Sequence, residues 1–295
     1  MVYPAPGAVL ELLKPVTWFP PMWAFACGAV SSGAVLGGRW ALVGLGLLLA
    51  GPFVCATSQA VNDWFDRHVD AINEPQRPIP SGRIPGQWGF GIACLWTLLS
   101  LGVGLALGPW AFIATATGLA LAWAYSAPPL RLKQNGWWGN AACGLCYEGL
   151  AWVTGAAVLL GGVVPQGRVL ALALLYSAGA HGIMTLNDFK SIEGDRQMGV
   201  ASLPVQLGVA GAARAACIAM AAPQVIVVAL LLYWGQPWHA GAVALALLGQ
   251  GALMPRFLSD PRKQAIWFSA FGVLLYVTGM MISAFALRGL TMEGM

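Results

Sequence analysis

Apolar runs of about twenty residues recur along the whole chain, and charged side chains are nearly confined to the gaps between them. A membrane-spanning helix needs about 20 such residues. By that measure nine stretches qualify, at about 16–36, 41–61, 87–107, 109–126, 138–160, 168–187, 211–234, 238–257 and 265–287. Only 9% of the residues are charged and 58% are hydrophobic, whereas a soluble domain carries roughly 25% charge on its exterior. The expected fold is therefore all-α: a polytopic membrane protein of about nine transmembrane helices, forming one domain over 1–295. The formal charge of +4 reports topology and is no argument for nucleic acid. The first apolar stretch lacks the short core and small-residue cleavage site of a signal peptide, and is expected to be retained.

Orientation follows from the basic residues, which accumulate in cytoplasmic loops. With nine spans and a cytoplasmic N-terminus, every Lys and Arg except Arg39, Arg168 and Arg288 falls on the cytoplasmic side. The acids sort more sharply still. Asp63, Asp66, Asp70 and Glu74 follow the second span, and Asp188, Glu193 and Asp195 follow the sixth. Asn62-Asp63-Trp64 and Asn187-Asp188-Phe189 stand 125 residues apart. The spacing predicts two four-helix repeats, about 16–126 and 138–257, with a ninth helix at about 265–287, all around a central cavity that both acid clusters face.

On a helix Asn62, Asp66 and Asp70 share one side, as do Asp63, Asp66 and Asp70. Crowded carboxylates repel unless a cation sits among them, and Mg²⁺ takes hard oxygen ligands together with substrate phosphates. Two such clusters facing each other suit a diphosphate held by Mg²⁺, with Arg67, Lys133, Lys190 or Arg196 neutralising the remaining charge. Apolar walls would hold a long hydrocarbon tail. Loss of diphosphate from an allylic carbon leaves a carbocation for a neighbouring nucleophile, in a site that excludes water.

These motifs resemble those of the UbiA superfamily of intramembrane prenyltransferases, whose first motif reads Asn-Asp-x-x-Asp-x-x-x-Asp. Within it the similarity is to chlorophyll and bacteriochlorophyll synthases, through Asn73 to Gly82, Tyr125 to Gly136, Tyr147 to Leu150, and Asn187 to Arg196 continuing to Pro204. The resemblance implies transfer of a geranylgeranyl or phytyl group from its diphosphate to the propionate of bacteriochlorophyllide or chlorophyllide. It implies Asp66, Asp70 and Asp195 as catalytic residues. Metal ligands are expected among Asn62, Asp63, Asp66, Asp70, Asp188, Glu193 and Asp195. The commoner family pattern of the second motif is Asp-x-x-x-Asp, whose first Asp would fall on Ser191 here, so Asp188, Glu193 and Asp195 are expected to supply the acid instead. Arg67, Lys133, Lys190 and Arg196 would contact diphosphate. The expected membrane is the bacterial inner or intracytoplasmic membrane, with the motif loops and N-terminus cytoplasmic. Membrane lipid and pigment-biosynthesis or photosystem-assembly proteins are the expected partners.

A propionate acceptor is already ionised near neutral pH and needs no general base. His68 therefore reads as a loop side chain. His181 is open between ligating the pigment's central Mg²⁺ and hydrogen bonding within the bundle. Glu148 lies inside the fifth span, where an ionisable group is costly and marks function by default. Both are weak acceptor-binding candidates. Cys143-x-x-Cys146 has no second pair nearby and reads as structural, and no disulfide is expected. Two other functions stay in view: a prenyltransferase acting on a quinone precursor or haem, and a non-catalytic pigment-binding or transport protein.

Overall fold

The computed structural model describes residues 3–293, with side chains to 290; residues 1–2 and 294–295 of the expected 1–295 domain lie outside it. Helices make up nearly the whole fold. Among the described residues the only β-pairing is an isolated bridge between Asn135 and Ala201.

A short helix α1 (Pro6–Leu13) leads into α2 (Phe19–Ser31). Then follow α3 (Trp40–Asn73), α4 (Trp88–Ala106), α5 (Pro109–Ser126), α6 (Gly136–Leu159) and α7 (Gly167–Asp188). After the short α8 (Ile192–Gln197) come α9 (Leu203–Tyr233), α10 (Pro237–Ser259) and α11 (Pro261–Glu293). Seven of these, α3, α4, α6, α7, α9, α10 and α11, are long and apolar enough to cross a membrane. The other two expected spans correspond to α2, with 13 residues, and α5, with 18. α2 is short because prolines fix its start and Gly33 follows closely after its end, whereas α5 has the expected length and is less apolar, carrying Pro109, Thr115, Thr117, Tyr125 and Ser126.

Packing relies on small residues, as expected where lipid gives helices no hydrophobic reason to associate. At the crossing of α2 and α6 the contact is reciprocal. A Cβ on Gly28 would stand 1.9 Å from the Trp152 carbonyl oxygen, and one on Gly155 would stand 2.1 Å from that of Phe25. Buried polar bonds fasten this pair and others. Trp152 Nε1 donates to Ser31 Oγ at 3.0 Å and Tyr276 Oη to the Tyr176 carbonyl at 2.6 Å. Gln224 Nε2 donates to Gln250 Oε1 at 2.8 Å. Each removes a polar group from a setting where lipid offers no partner.

An ion network ties the start of the chain to α3. Lys14 Nζ meets Asp63 Oδ1 at 2.6 Å. Arg77, in the loop after α3, reaches Asp70 at 2.9 Å, Asp63 at 3.4 Å and Glu74 at 2.6 Å. The Asp63 and Asp70 side chains are only 2% and 9% exposed. Burial works against the Arg77 charge, but Glu74, Asp63 and Asp70 outweigh it and raise its pKa. The network thus anchors the Lys14 segment and the loop after Asn73 to the end of α3.

Two stability predictions follow from these contacts. Gly155→Ala drives a methyl group into backbone, which cannot give way, and is expected to cost about 3 kcal/mol. Gly44→Ala, facing open space on α3, is expected to be neutral or stabilising; thermal unfolding in detergent compares the two. Arg77→Ala leaves buried carboxylates short of their cation and is expected to cost roughly 3–5 kcal/mol, read as a lowered Tm that Arg77→Lys restores in part.

Candidate active site

Two helices are broken in the same way on facing sides of the bundle. In α3 the turn Leu49–Cys55 is a π-helix containing Pro52, and in α6 Leu145–Leu150 is another. Such one-turn widenings re-aim the side chains around them and often stand at functional sites. Here Ala50, Val54 and Cys55 from the first, and Cys146 and Tyr147 from the second, line one cavity of about 530 Å³. Leu121, Ala122 and Val273 add apolar wall. Asn62, Asn187 and Lys190 line it where the two motif helices end. The two Asn-Asp motifs therefore meet at one cavity, although 125 residues separate them in the chain.

The first motif divides between two faces. Asn62 lines the cavity, and its Nδ2 donates to Asp66 Oδ2, one turn on, at 3.0 Å. The other Asp66 oxygen binds Lys133 and lies 3.5 Å from Arg131. Burial pushes the Lys133 pKa down, and the Asp66 carboxylate opposes that shift. Asp63 and Asp70 fall on the other face, within the Lys14 and Arg77 network. One oxygen of Asp63 is buried there without a hydrogen-bond partner. The expected group of three aspartates is thus two sets with different cations, a split that helical spacing does not impose and that follows from where Lys14, Arg77 and Lys133 approach α3.

The second motif is spread more widely. Asp188 accepts from Asn140 Nδ2 at 3.3 Å, on the side of α6. Asp195 accepts from Ser191 Oγ at 2.9 Å, so the first position of the expected Asp-x-x-x-Asp pattern supplies a hydroxyl to the last. Glu193 is exposed and pairs with Arg196 and Arg262, each at 3.2 Å. Arg196 is correspondingly held at the surface rather than among the residues lining the cavity. Arg67 lies 4.1 Å over the Trp64 ring and donates to the Trp64 carbonyl at 2.7 Å.

The two acceptor candidates stand apart from the cavity lining. His181 Nε2 is 3.2 Å from the Trp137 carbonyl, with the two rings 5.5 Å apart. Glu148 is 4% exposed and has one oxygen without a hydrogen-bond partner. In their place the cavity presents Gln59 and Tyr147, whose side chains meet at 3.0 Å. Gln59 stands one turn before Asn62, a signal visible in the sequence. Tyr147 reaches the cavity through the π-helical turn, which no periodicity announces.

Asn62 and Asp66 offer hard oxygen donors that suit Mg²⁺. Among the described residues, no three His, Cys, Asp or Glu side chains converge into a cage. A metal held here would draw its remaining ligands from water and substrate phosphate, as Mg²⁺ commonly does. Lys133, Arg131 and Lys190 supply positive charge beside the same carboxylate or in the cavity wall. The arrangement can bind an anionic head at its polar end and shelter an apolar tail within.

Comparison with known proteins agrees with this architecture. Residues 17–275 match the UbiA prenyltransferase family. The bacteriochlorophyll synthase 33 kDa chain of Cereibacter sphaeroides is 58% identical, over 97% of this chain and 95% of the relative. The chloroplastic chlorophyll synthase of Oryza sativa is 40% identical, over 94% of this chain and 76% of the relative. A solved UbiA homologue from Archaeoglobus fulgidus, bound to GPP and Mg²⁺, shares the fold with a TM-score of 0.73 at 21% identity, over 93% of this chain and 99% of that one. From its matched span, its near full-length relatives and its membrane-spanning helices, this chain is an integral membrane enzyme that belongs to the UbiA prenyltransferase family.

Proposed function

We propose that this prenyltransferase esterifies the propionate of bacteriochlorophyllide or chlorophyllide with a geranylgeranyl or phytyl group drawn from the corresponding diphosphate, in a Mg²⁺-dependent reaction. The observation that carries the reading is the shared cavity. Asn62 and Asn187 line it, Asp66 stands one turn beyond Asn62 with Lys133 and Arg131 against it, and apolar wall continues inward. The substrates are those expected from the near full-length likeness to the Cereibacter bacteriochlorophyll synthase chain.

When bound, Mg²⁺ supplies positive charge to the departing diphosphate. Asn62 and Asp66 would hold it, with Asp188 and Asp195 the candidate acids of the second motif. Lys133, Arg131 and Lys190 bind the anionic head and orient it, and the apolar wall excludes water that would otherwise capture the allylic cation. No proton has to move, because the acceptor is a carboxylate.

Convergence of α3 and α7 on this cavity supports the reading of repeated halves, 16–126 and 138–257, followed by the last helix. The excess of Lys and Arg on the motif side supports a cytoplasmic placement of both motif loops, in the inner or intracytoplasmic membrane of a bacterium. Proteins of pigment biosynthesis or photosystem assembly are its expected neighbours.

Purified protein supplied with bacteriochlorophyllide, geranylgeranyl diphosphate and Mg²⁺ is expected to yield the pigment ester, identified by mass. A prenylated quinone precursor or haem as the only product would overturn the assignment. EDTA should abolish turnover and added Mg²⁺ restore it. Asp66→Ala is expected to lower kcat by about 10²-fold to 10³-fold while pigment binding persists, which separates an enzyme from a passive pigment carrier.

A further inference from the structure

We infer that Gln59 and Tyr147 form an uncharged hydrogen-bonding subsite that holds the carboxylate of the acceptor inside the cavity, one helical turn inward of the diphosphate-binding residues. This rests on the esterification reading above and adds to it the residues that recognise the acceptor's reacting group.

Position is the first argument. Gln59 and Asn62 line the cavity three residues apart on α3, and Asp66, four residues further on, is hydrogen-bonded to Asn62 just beyond the lining. At 1.5 Å per residue, Gln59 stands about 4.5 Å inward of Asn62 and about 10 Å inward of Asp66. With diphosphate oxygens among Asn62, Asp66, Lys133 and Lys190, the allylic carbon lies one bond inward of the bridging oxygen, at the level of Gln59. An acceptor oxygen must reach that carbon.

Hydrogen-bond capacity is the second argument. Gln59 Nε2 donates to Tyr147 Oη at 3.0 Å, which uses an acceptor position of the phenol and leaves its O–H free to donate. Cys55 Sγ donates weakly to the same oxygen at 3.5 Å, which likewise leaves the phenol O–H to donate. Gln59 retains a second N–H. Both side chains line the cavity, and each is oriented by the other, so a carboxylate meets two directed donors.

Absence of charge is the third argument. Lys190 is the only Lys or Arg among the described residues lining the cavity, and it belongs to the polar end; no Asp or Glu lines it. A salt bridge would hold the acceptor's electron pairs tightly, whereas neutral donors orient an oxygen and leave it nucleophilic. In a low-dielectric site these bonds are also stronger than in water. The reaction then balances without an acid or base. The C–O bond to diphosphate breaks, its electron pair leaves with the diphosphate, and a carboxylate lone pair forms the ester bond.

The test compares bacteriochlorophyllide with its propionate methyl ester, both titrated by pigment absorbance without donor diphosphate. Wild-type protein is expected to bind the free acid about tenfold or more tightly than the ester, because hydrogen bonds to an ionised group are the stronger kind. Tyr147→Phe combined with Gln59→Leu should erase that preference and raise the acceptor KM by about the same factor, with geranylgeranyl diphosphate binding unchanged. Gln59→Glu should lose the free acid and keep the methyl ester. Retention of the wild-type preference in both variants, with donor binding intact, overturns the subsite. Wild-type protein that neither binds nor esterifies the pigment overturns the functional assignment instead.

Discussion

A carboxylate at the edge of an apolar bundle stays ionised only beside a cation, and this requirement organises the active end of the protein. α3 delivers three aspartates within two turns of helix, and each is met by a cation from elsewhere in the chain. Lys14 comes from the segment before α2, Arg77 from the loop after α3, and Arg131 and Lys133 from the loop after α5. The loops are thereby held over the cavity. The loop carrying Lys133 is fastened to the second motif as well, since Ala201 N donates to the Gln134 carbonyl at 2.9 Å and Gly136 N to that of Ala201 at 2.8 Å. Both motifs and the cations between them form one connected end.

Charge pairing also explains why a motif of similar carboxylates does two jobs. Asp66 is bound to the cavity-lining Asn62 and is met by Lys133 and Arg131. Asp63 is sealed from solvent and shared between Lys14 and Arg77, where it holds segments in place. Removing either partner of a buried pair strands a charge, so loss of activity on mutation of either aspartate would by itself leave their roles undistinguished. Stability and turnover have to be measured together.

The interior follows a complementary rule. Along the cavity the polar groups are neutral amides, hydroxyls and thiols, and the charges stay at one end. Such a gradient suits a substrate with an ionic head and a hydrocarbon tail. Glu148, buried within α6, lies outside the cavity lining and keeps an oxygen without a hydrogen-bond partner. Its placement within the π-helical turn of α6 connects it to the backbone irregularity that turns Tyr147 toward the cavity.

Much of the architecture was legible beforehand because its causes are local. Hydropathy set where helices cross, and the repeated Asn-Asp pairs marked the two helix ends that must cooperate. Asn62 and Asp66 were readable as a pair because helical spacing alone puts them on one side. The spacing argument failed for Asp63 and Asp70, whose direction depends on Lys14 and Arg77, residues brought to them by the path of the loops. Glu193 and Arg196 matched a motif yet pair with each other and with Arg262 at the surface. What the sequence determined by itself was the membrane fold and the two motifs, since these follow from periodicity and residue type. Tertiary structure alone decided which face each acid takes and that Gln59 and Tyr147 meet in the cavity, because charge pairing and a π-helical turn act between segments far apart in the chain.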